Sequence, residues 1–293
     1  MKKKLIAFTL VISFSLSVGL NQAAAESSHS AIELPQGVKS EILNTLKISD
    51  IHLPEGNKPL TCRVLRFRTV DVEPGSHIDI HSHENRPAML GVTRGTSIVH
   101  PYQHQPVTLH IGDSYKEYAN VHYAWNASTT EMLTMTTFDL LDDGSPCNGV
   151  KYPQHTPMLD KLKAEKDKFY VDAPKSGGKE KSNPVYSHNI FDIHFSNKTD
   201  RFTDRVMRVR KVTLSPGKAL PEQNFSNRPA YLLVLDGALD IIRDGNDAAA
   251  PIGKLGTADL VNAEKVAIKN DSKSVTVSYL VFELWDPNDV AEI

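Results

Sequence analysis

Side chains that bind metals or move protons recur at every second position after the turn Pro74-Gly75: His77, Asp79, His81 and His83. Successive side chains of a β-strand point to opposite faces, so this spacing predicts that all four share one face and that Ile78 and Ile80 take the other. Two histidines at i and i+2 on a strand reach a single metal ion. A third donor must then come from a neighbouring strand, and His122, in Gly112-x9-His122-x3-Asn126, is the best placed. Neutral imidazole suits Fe, Zn, Cu or Ni, so residue type alone does not choose among them. Around this set, His77 and Asp79 are expected at the mouth of a pocket, Asp79 with the option of orienting a ligating histidine. Tyr123 and Trp125 flank His122 and either pack or line the pocket. His100, His104 and His110 lie near Pro101 and Pro106 and read as loop residues. His52 reads as structural, because a second Asp-Ile-His triplet occurs at 192–194.

The elements that must position these groups occur twice. Arg63–Gly75 (RVLRFRTVDVEPG) and Arg205–Gly217 (RVMRVRKVTLSPG) agree at seven of thirteen positions without a gap, at an offset of 142. The same offset pairs Asn85-Arg86-Pro87-Ala88 with Asn227-Arg228-Pro229-Ala230 and Gly95 with Gly237; an offset of 144 then pairs Gly112 with Gly256, Asn126 with Asn270 and Phe138-Asp139-Leu140 with Phe282-Glu283-Leu284. The copies span about 43–147 and 185–287. Residues 148–184, rich in Lys, Pro and Gly, read as a surface connector with one short helix over Met158–Phe169. Each copy holds short β-branched or apolar runs such as Val64–Val72, Leu90–Thr93 and Met132–Leu140, flanked by turn residues. The reading is all-β: two small barrels packed on each other.

The second copy acts as a control on the first. At these offsets His81 becomes Gln223, His83 becomes Phe225 and His122 becomes Val266, whereas the turn and the Asn-Arg-Pro-Ala segment stay. The three histidines are lost as a set. The residues common to both copies, Asn85, Arg86 and Asn126 among them, therefore read mainly as scaffold, and copy two as metal-free.

Composition places the chain among ordinary globular proteins: 293 residues, 40% hydrophobic and 23% charged. Lys+Arg 33 against Asp+Glu 35 gives no basic excess, so no nucleic-acid partner is expected. The distribution of histidine is less ordinary, since 10 of the 12 lie at or before position 155. At the N-terminus Lys2–Lys4, the uncharged run Leu5–Leu20 and Ala23-x-Ala25 form a secretory signal pattern, predicting cleavage after Ala25 and a periplasmic or secreted protein without a stable membrane anchor. The apolar run is short for a bilayer span. In an oxidising compartment Cys62 and Cys147, the only two cysteines, are candidates for a disulfide. Two separate buried thiols are the alternative.

These motifs resemble the cupin superfamily. Gly75-x5-His81-x-His83 and Gly95 follow its first motif, and Gly112 with His122-x3-Asn126 follows its second, one residue short before the histidine. The resemblance covers both copies and implies a bicupin: two tandem jelly-roll barrels with one divalent metal in the first. It departs from the pattern where the family places a glutamate, which falls here at Pro87 or Ala88; Glu84 would face away from the histidines in a regular strand. The resemblance therefore implies a shell of three neutral imidazoles, His81, His83 and His122, as in the three-His cupins, several of which are iron dioxygenases. Fe is the first choice of metal, with Zn, Mn, Cu and Ni as alternatives. A site lacking the carboxylate would carry one more positive charge and favour an anionic small molecule. His77, Asp79, Glu84, Arg86, Tyr123 and Trp125 are the candidate surroundings of the metal. A non-enzymatic ligand- or metal-binding protein of the cell envelope, and a decarboxylase or isomerase recruiting Glu84 or Asp79 through an irregular strand, are the competing readings. Oligomeric state is left open.

Overall fold

The computed structural model describes residues 34–163, 180–193, 202–243 and 251–288, with residues 165, 169 and 195 besides. The signal pattern, His194 and most of the second half of the expected connector helix lie outside them. In chain order the first half holds β1 (Val38–Lys47), β2 (Val64–Val72), β3 (His77–Ser82), β4 (Ala88–Arg94), β5 (Ser97–Pro101), β6 (Val107–Leu109), β7 (Ser114–Glu117), β8 (Val121–Trp125) and β9 (Leu133–Leu141). The helix α1 (Pro157–Leu162) follows. The second half holds β10 (Glu180–Asn189), β11 (Val206–Leu214), β12 (Ala230–Asp236), β13 (Ala238–Arg243), β14 (Ile252–Gly253), β15 (Thr257–Asp259), β16 (Val266–Lys269) and β17 (Val277–Trp285). Among the described residues no helix is long and apolar enough to cross a membrane.

Each half closes a larger sheet over a smaller one. In barrel 1 the larger sheet runs β10-β2-β9-β4-β7 and the smaller β3-β8-β5-β6; in barrel 2 they run β1-β11-β17-β12-β15 and β14-β13-β16. All pairings are antiparallel, and alternation buries one face of each sheet inside its barrel. Val70, Val72, Leu90, Val92, Leu133 and Met135 fill barrel 1. The outer faces of the two larger sheets meet in a third core that includes Leu65, Phe67, Phe138, Tyr231, Leu280 and Phe282. Phe67 stacks on Tyr231 at 5.1 Å between ring centroids and meets Phe282 edge-on at 5.4 Å. The sheets approach so closely at Gly91 that a Cβ there would sit 2.8 Å from both Leu280 and Phe282 side chains.

The first strand of each copy has crossed over. β1 pairs with β11 in barrel 2, and β10 pairs with β2 in barrel 1. The two are equivalents at the offset of 142, down to a bulge at Ile42/Asn44 in one and Pro184/Tyr186 in the other. The repeat thus begins at Val38 and Glu180, and Glu180–Pro184 of the expected connector is the start of a strand. One shared detail supports the scaffold reading. The Asn126 amide donates to the Val72, Glu73 and Glu131 carbonyls, and the Asn270 amide donates to those of Leu214, Ser215 and Val275.

Cys62 and Cys147 are bonded, with Cα atoms 5.6 Å apart and a sequence separation of 85. They tie the entry to β2 to the exit from β9. By the loop-closure argument a bridge over a loop of this size contributes about 4.5 kcal/mol. A Cys62→Ser/Cys147→Ser variant is expected to lose roughly that much in urea unfolding; an unchanged midpoint and slope would show the bridge to be energetically idle.

Candidate metal centre

Three strands deliver the donors. His81 lies in β3 and His83 just beyond it; His122 lies in β8, directly opposite His81 in the ladder. Ring centroids are 4.4 Å apart for His81 and His122 and 5.0 Å for His83 and His122. A fourth group, absent from the sequence reading, completes the cluster. Glu117, at the end of β7, lies with the three histidines so that one ligand atom from each falls within 4.8 Å of the others. The expectation of imidazoles alone is thereby corrected: the set is three histidines and a carboxylate. Its origin is the ladder between β4 and β7, where Glu117 sits opposite Ala88. Residues directly opposed across a ladder project to the same face. The carboxylate missing at position 88 is supplied from the neighbouring strand, into the same side of the barrel.

Hydrogen bonding fixes which nitrogen each histidine presents. His81 Nδ1 donates to the Asp79 carbonyl at 2.8 Å, His83 Nδ1 to the Arg86 carbonyl at 2.7 Å and His122 Nδ1 to Asn120 Oδ1 at 3.2 Å. A carbonyl oxygen only accepts, so each Nδ1 carries the proton and each Nε2 a lone pair. Two of those lone pairs face Glu117: His122 Nε2 lies 3.2 Å from Oε1, and His83 Nε2, which also accepts from Arg86 Nη2 at 3.4 Å, lies 3.5 Å from Oε2. His122 Nε2 is buried and makes no hydrogen bond. A buried carboxylate confronting imidazole lone pairs is an arrangement that a cation reconciles, so these residues fit a divalent metal.

Burial, helped by the neighbouring Arg86 and His122, holds His81 and His83 well below the usual histidine range. They are neutral at pH 7, as ligands must be. The linkage sign follows. In the metal-free chain the unfolded state takes up protons below its histidine pKa of about 6.5 while the folded state does not, so stability falls on acidification from that point. The slope is at most about 1.4 kcal/mol per pH unit for each such histidine. Urea midpoints of metal-free protein are expected to drop between pH 7.5 and 5.5; a flat profile would show that these imidazoles titrate normally.

The cluster opens on a cavity of about 200 Å³. Its lining combines apolar residues, Val70, Ile78, Leu90, Ala124 and Met135, with charged ones, Arg68, Arg86, Asp79 and Glu180. Burial, together with the adjacent Arg86, lowers Arg68 to about 10, which leaves it cationic at neutral pH. Burial and Asp79 raise the Glu180 carboxyl above the usual range. Glu180 belongs to β10, so the second half of the chain contributes to this lining.

Other expected neighbours lie elsewhere. A bulge separates the pairs Ile78–Ala124 and His81–His122 in the ladder of β3 and β8. The extra residue inverts the alternation, so His77, opposite Trp125, faces away from His81 instead of sharing its side. His77, Tyr123 and Trp125 belong to the outer face, where His100 stacks on Tyr123 at 4.3 Å. His100 is a buried strand residue, not a loop residue. Glu84 accepts from the Met158 and Leu159 amides and so caps α1. Asp79 lines the cavity, and its carbonyl orients His81.

In barrel 2 the same positions are closed by apolar packing. Gln223 bridges to Val266, and the pair Leu260–Ala230 stands where Glu117–Ala88 stands in barrel 1. The offset in this hairpin is therefore 143, which matches Gly112 to Leu255, both at positive φ, rather than to Gly256. His81, His83, Glu117 and His122 become Gln223, Phe225, Leu260 and Val266, the last three buried in the barrel core.

Two such barrels, one with a donor set projecting inward from its β3, β7 and β8 strands, decide the architecture. The fold is that of a bicupin. No family model and no curated protein matches the chain. Among solved structures this chain is similar to AerE from Microcystis aeruginosa (13% identity over 87% of this chain and 96% of that one, TM-score 0.43). It is similar also to a salicylate 1,2-dioxygenase from Pseudaminobacter salicylatoxidans (11%, 74% and 71%, 0.44) and to a formate complex of oxalate decarboxylase from Lactobacillus farciminis (11%, 85% and 89%, 0.45). At these identities and scores the likeness fixes neither substrate nor reaction for this chain.

Proposed function

We propose that this chain is an exported, metal-dependent bicupin that acts on a small organic anion in barrel 1, with Fe(II)-dependent dioxygenation as its reaction. One observation carries the reading: four convergent donors, His81, His83, Glu117 and His122, stand in a cavity that also holds two arginines. Imidazole and carboxylate together suit a divalent ion such as Fe(II), and four donors leave positions of a six-coordinate ion open. Such an ion would supply Lewis acidity and electron transfer. The protein's own groups do the rest. Arg68 and Arg86 attract and orient the anion, the apolar lining excludes water, and the Nδ1 hydrogen bonds hold the imidazoles in register. Export rests on the N-terminal pattern, with cleavage after Ala25.

The cavity also favours a second reading. Decarboxylation or isomerisation needs an acid or base beside the bound anion, and Glu180 and Asp79 line the cavity together with the two arginines. Metal content of untagged protein comes first. Less than about a tenth of an ion per chain, unimproved by Fe, Mn, Zn, Cu or Ni, would overturn the metal reading. O2 consumption across phenolic, enolic and carboxylate substrates then supports dioxygenation. CO2 release without O2 uptake supports the second reading, and tight binding without turnover the non-enzymatic one.

A further inference from the structure

The two barrels treat the same arginines differently. Arg66, Arg68 and Arg86 of barrel 1 correspond to Arg208, Arg210 and Arg228 of barrel 2, and Asp139 corresponds to Glu283. In barrel 2 the longer acid reaches two of the strand arginines: Arg208 Nε donates to Glu283 Oε1 at 2.7 Å and Arg210 Nε at 2.6 Å. In barrel 1 Asp139 is one methylene shorter, and Arg66 takes both its oxygens, at 3.0 and 2.5 Å. Arg68 forms no ion pair among the described residues; it donates to two hydroxyls, Thr137 Oγ1 and Ser182 Oγ, each at 3.0 Å. The position of Thr137 is Val281 in barrel 2, which accepts nothing. Arg210 is buried with its acid, whereas Arg68 is partly exposed and lines the cavity.

We infer that Asp139 sets the specificity of the cavity: too short to hold Arg68, it leaves that guanidinium to bind the carboxylate of a small organic ligand. This rests on the reading of barrel 1 as a ligand site. Asp139 is a positioning residue, because it acts through Arg68. A guanidinium whose hydrogen bonds go to neutral hydroxyls, with Asp139, Glu117 and Glu180 acting on it only through space, keeps more of its charge available to a carboxylate than one hydrogen-bonded to a buried acid.

Benzoate and its neutral isostere benzamide provide the test. Each is titrated calorimetrically into the full-length protein as isolated, with metal content measured in parallel. Wild type is expected to bind benzoate at least tenfold more tightly than benzamide. Arg68→Gln should lower the ratio at least fivefold, Arg86 being left in place. Asp139→Glu should lower it at least fivefold by giving Arg68 the partner Arg210 has, and the double variant should behave as Arg68→Gln alone. A wild-type ratio near one overturns the inference, as does an unchanged ratio in either folded single variant. If Asp139→Glu does not fold, Thr137→Asp sets an acid beside Arg68 by another route and must cost at least fivefold; an unchanged ratio there overturns it equally. Absence of metal with an Arg68-dependent ratio would defeat the proposed function and leave this inference standing.

Discussion

A His81→Ala/His122→Ala double variant is expected to hold less than about a tenth of a divalent ion per chain under conditions that load wild type to about one, with its thermal transition still cooperative. Each substitution removes an Nε2 donor whose orientation the Nδ1 hydrogen bond had fixed. The fold should survive, because barrel 2 closes with Gln223 and Val266 at the same two positions. Glu117→Gln separates charge from geometry. It keeps the shape and an oxygen donor but deletes the one negative charge in the set, and the affinity is expected to fall by roughly 10–100-fold. Elemental analysis after dialysis checks both. Stoichiometric metal in the double variant would mean that the ligands are misassigned, and wild-type affinity in Glu117→Gln would remove the carboxylate from the set.

Separated halves should fail. Residues 26–179 and 180–293, expressed singly, are expected to aggregate or to unfold without a cooperative transition, and to recover solubility when produced together. Without β10, the nine register pairs it makes with β2 are lost, and that edge stands open. β1 would have no ladder to join, since its nine pairs are all with β11. Each half would also expose its side of the aromatic core around Phe67, Phe138, Tyr231 and Phe282. A patch of that kind drives association in water. A soluble, monomeric, cooperatively melting half would show that the exchanged strand is dispensable.

What could be read from the sequence was what is local or duplicated. His81 and His83 lie two residues apart, and their joint loss with His122 in the second copy marks them without any knowledge of pairing. Cores of both barrels follow from alternating apolar runs. Glu117 was not legible, because its approach to the histidines depends on which residue of β7 faces Ala88. Its absence from copy two was a signal, but only at an offset of 143, which a pairing of Gly112 with Gly256 conceals. His77 was misplaced for the opposite reason: alternation is a rule about regular strands, and one bulged residue reverses it. The partners of β1 and β10 lie more than 100 residues away in sequence, and nothing in either strand names them.

The crossing of β10 bears on why a barrel without ligands persists. With Phe225, Leu260 and Val266 packed into its interior, the second barrel offers no metal donors at these positions. It cannot be shed, however, because the strand that opens it is the edge of the other barrel's sheet and carries Glu180 into that barrel's cavity. Truncation at the connector would cost the donor-bearing barrel a wall. The two copies are bound by exchanged strands as well as by the core between them: a barrel without donors holds up the one that has them.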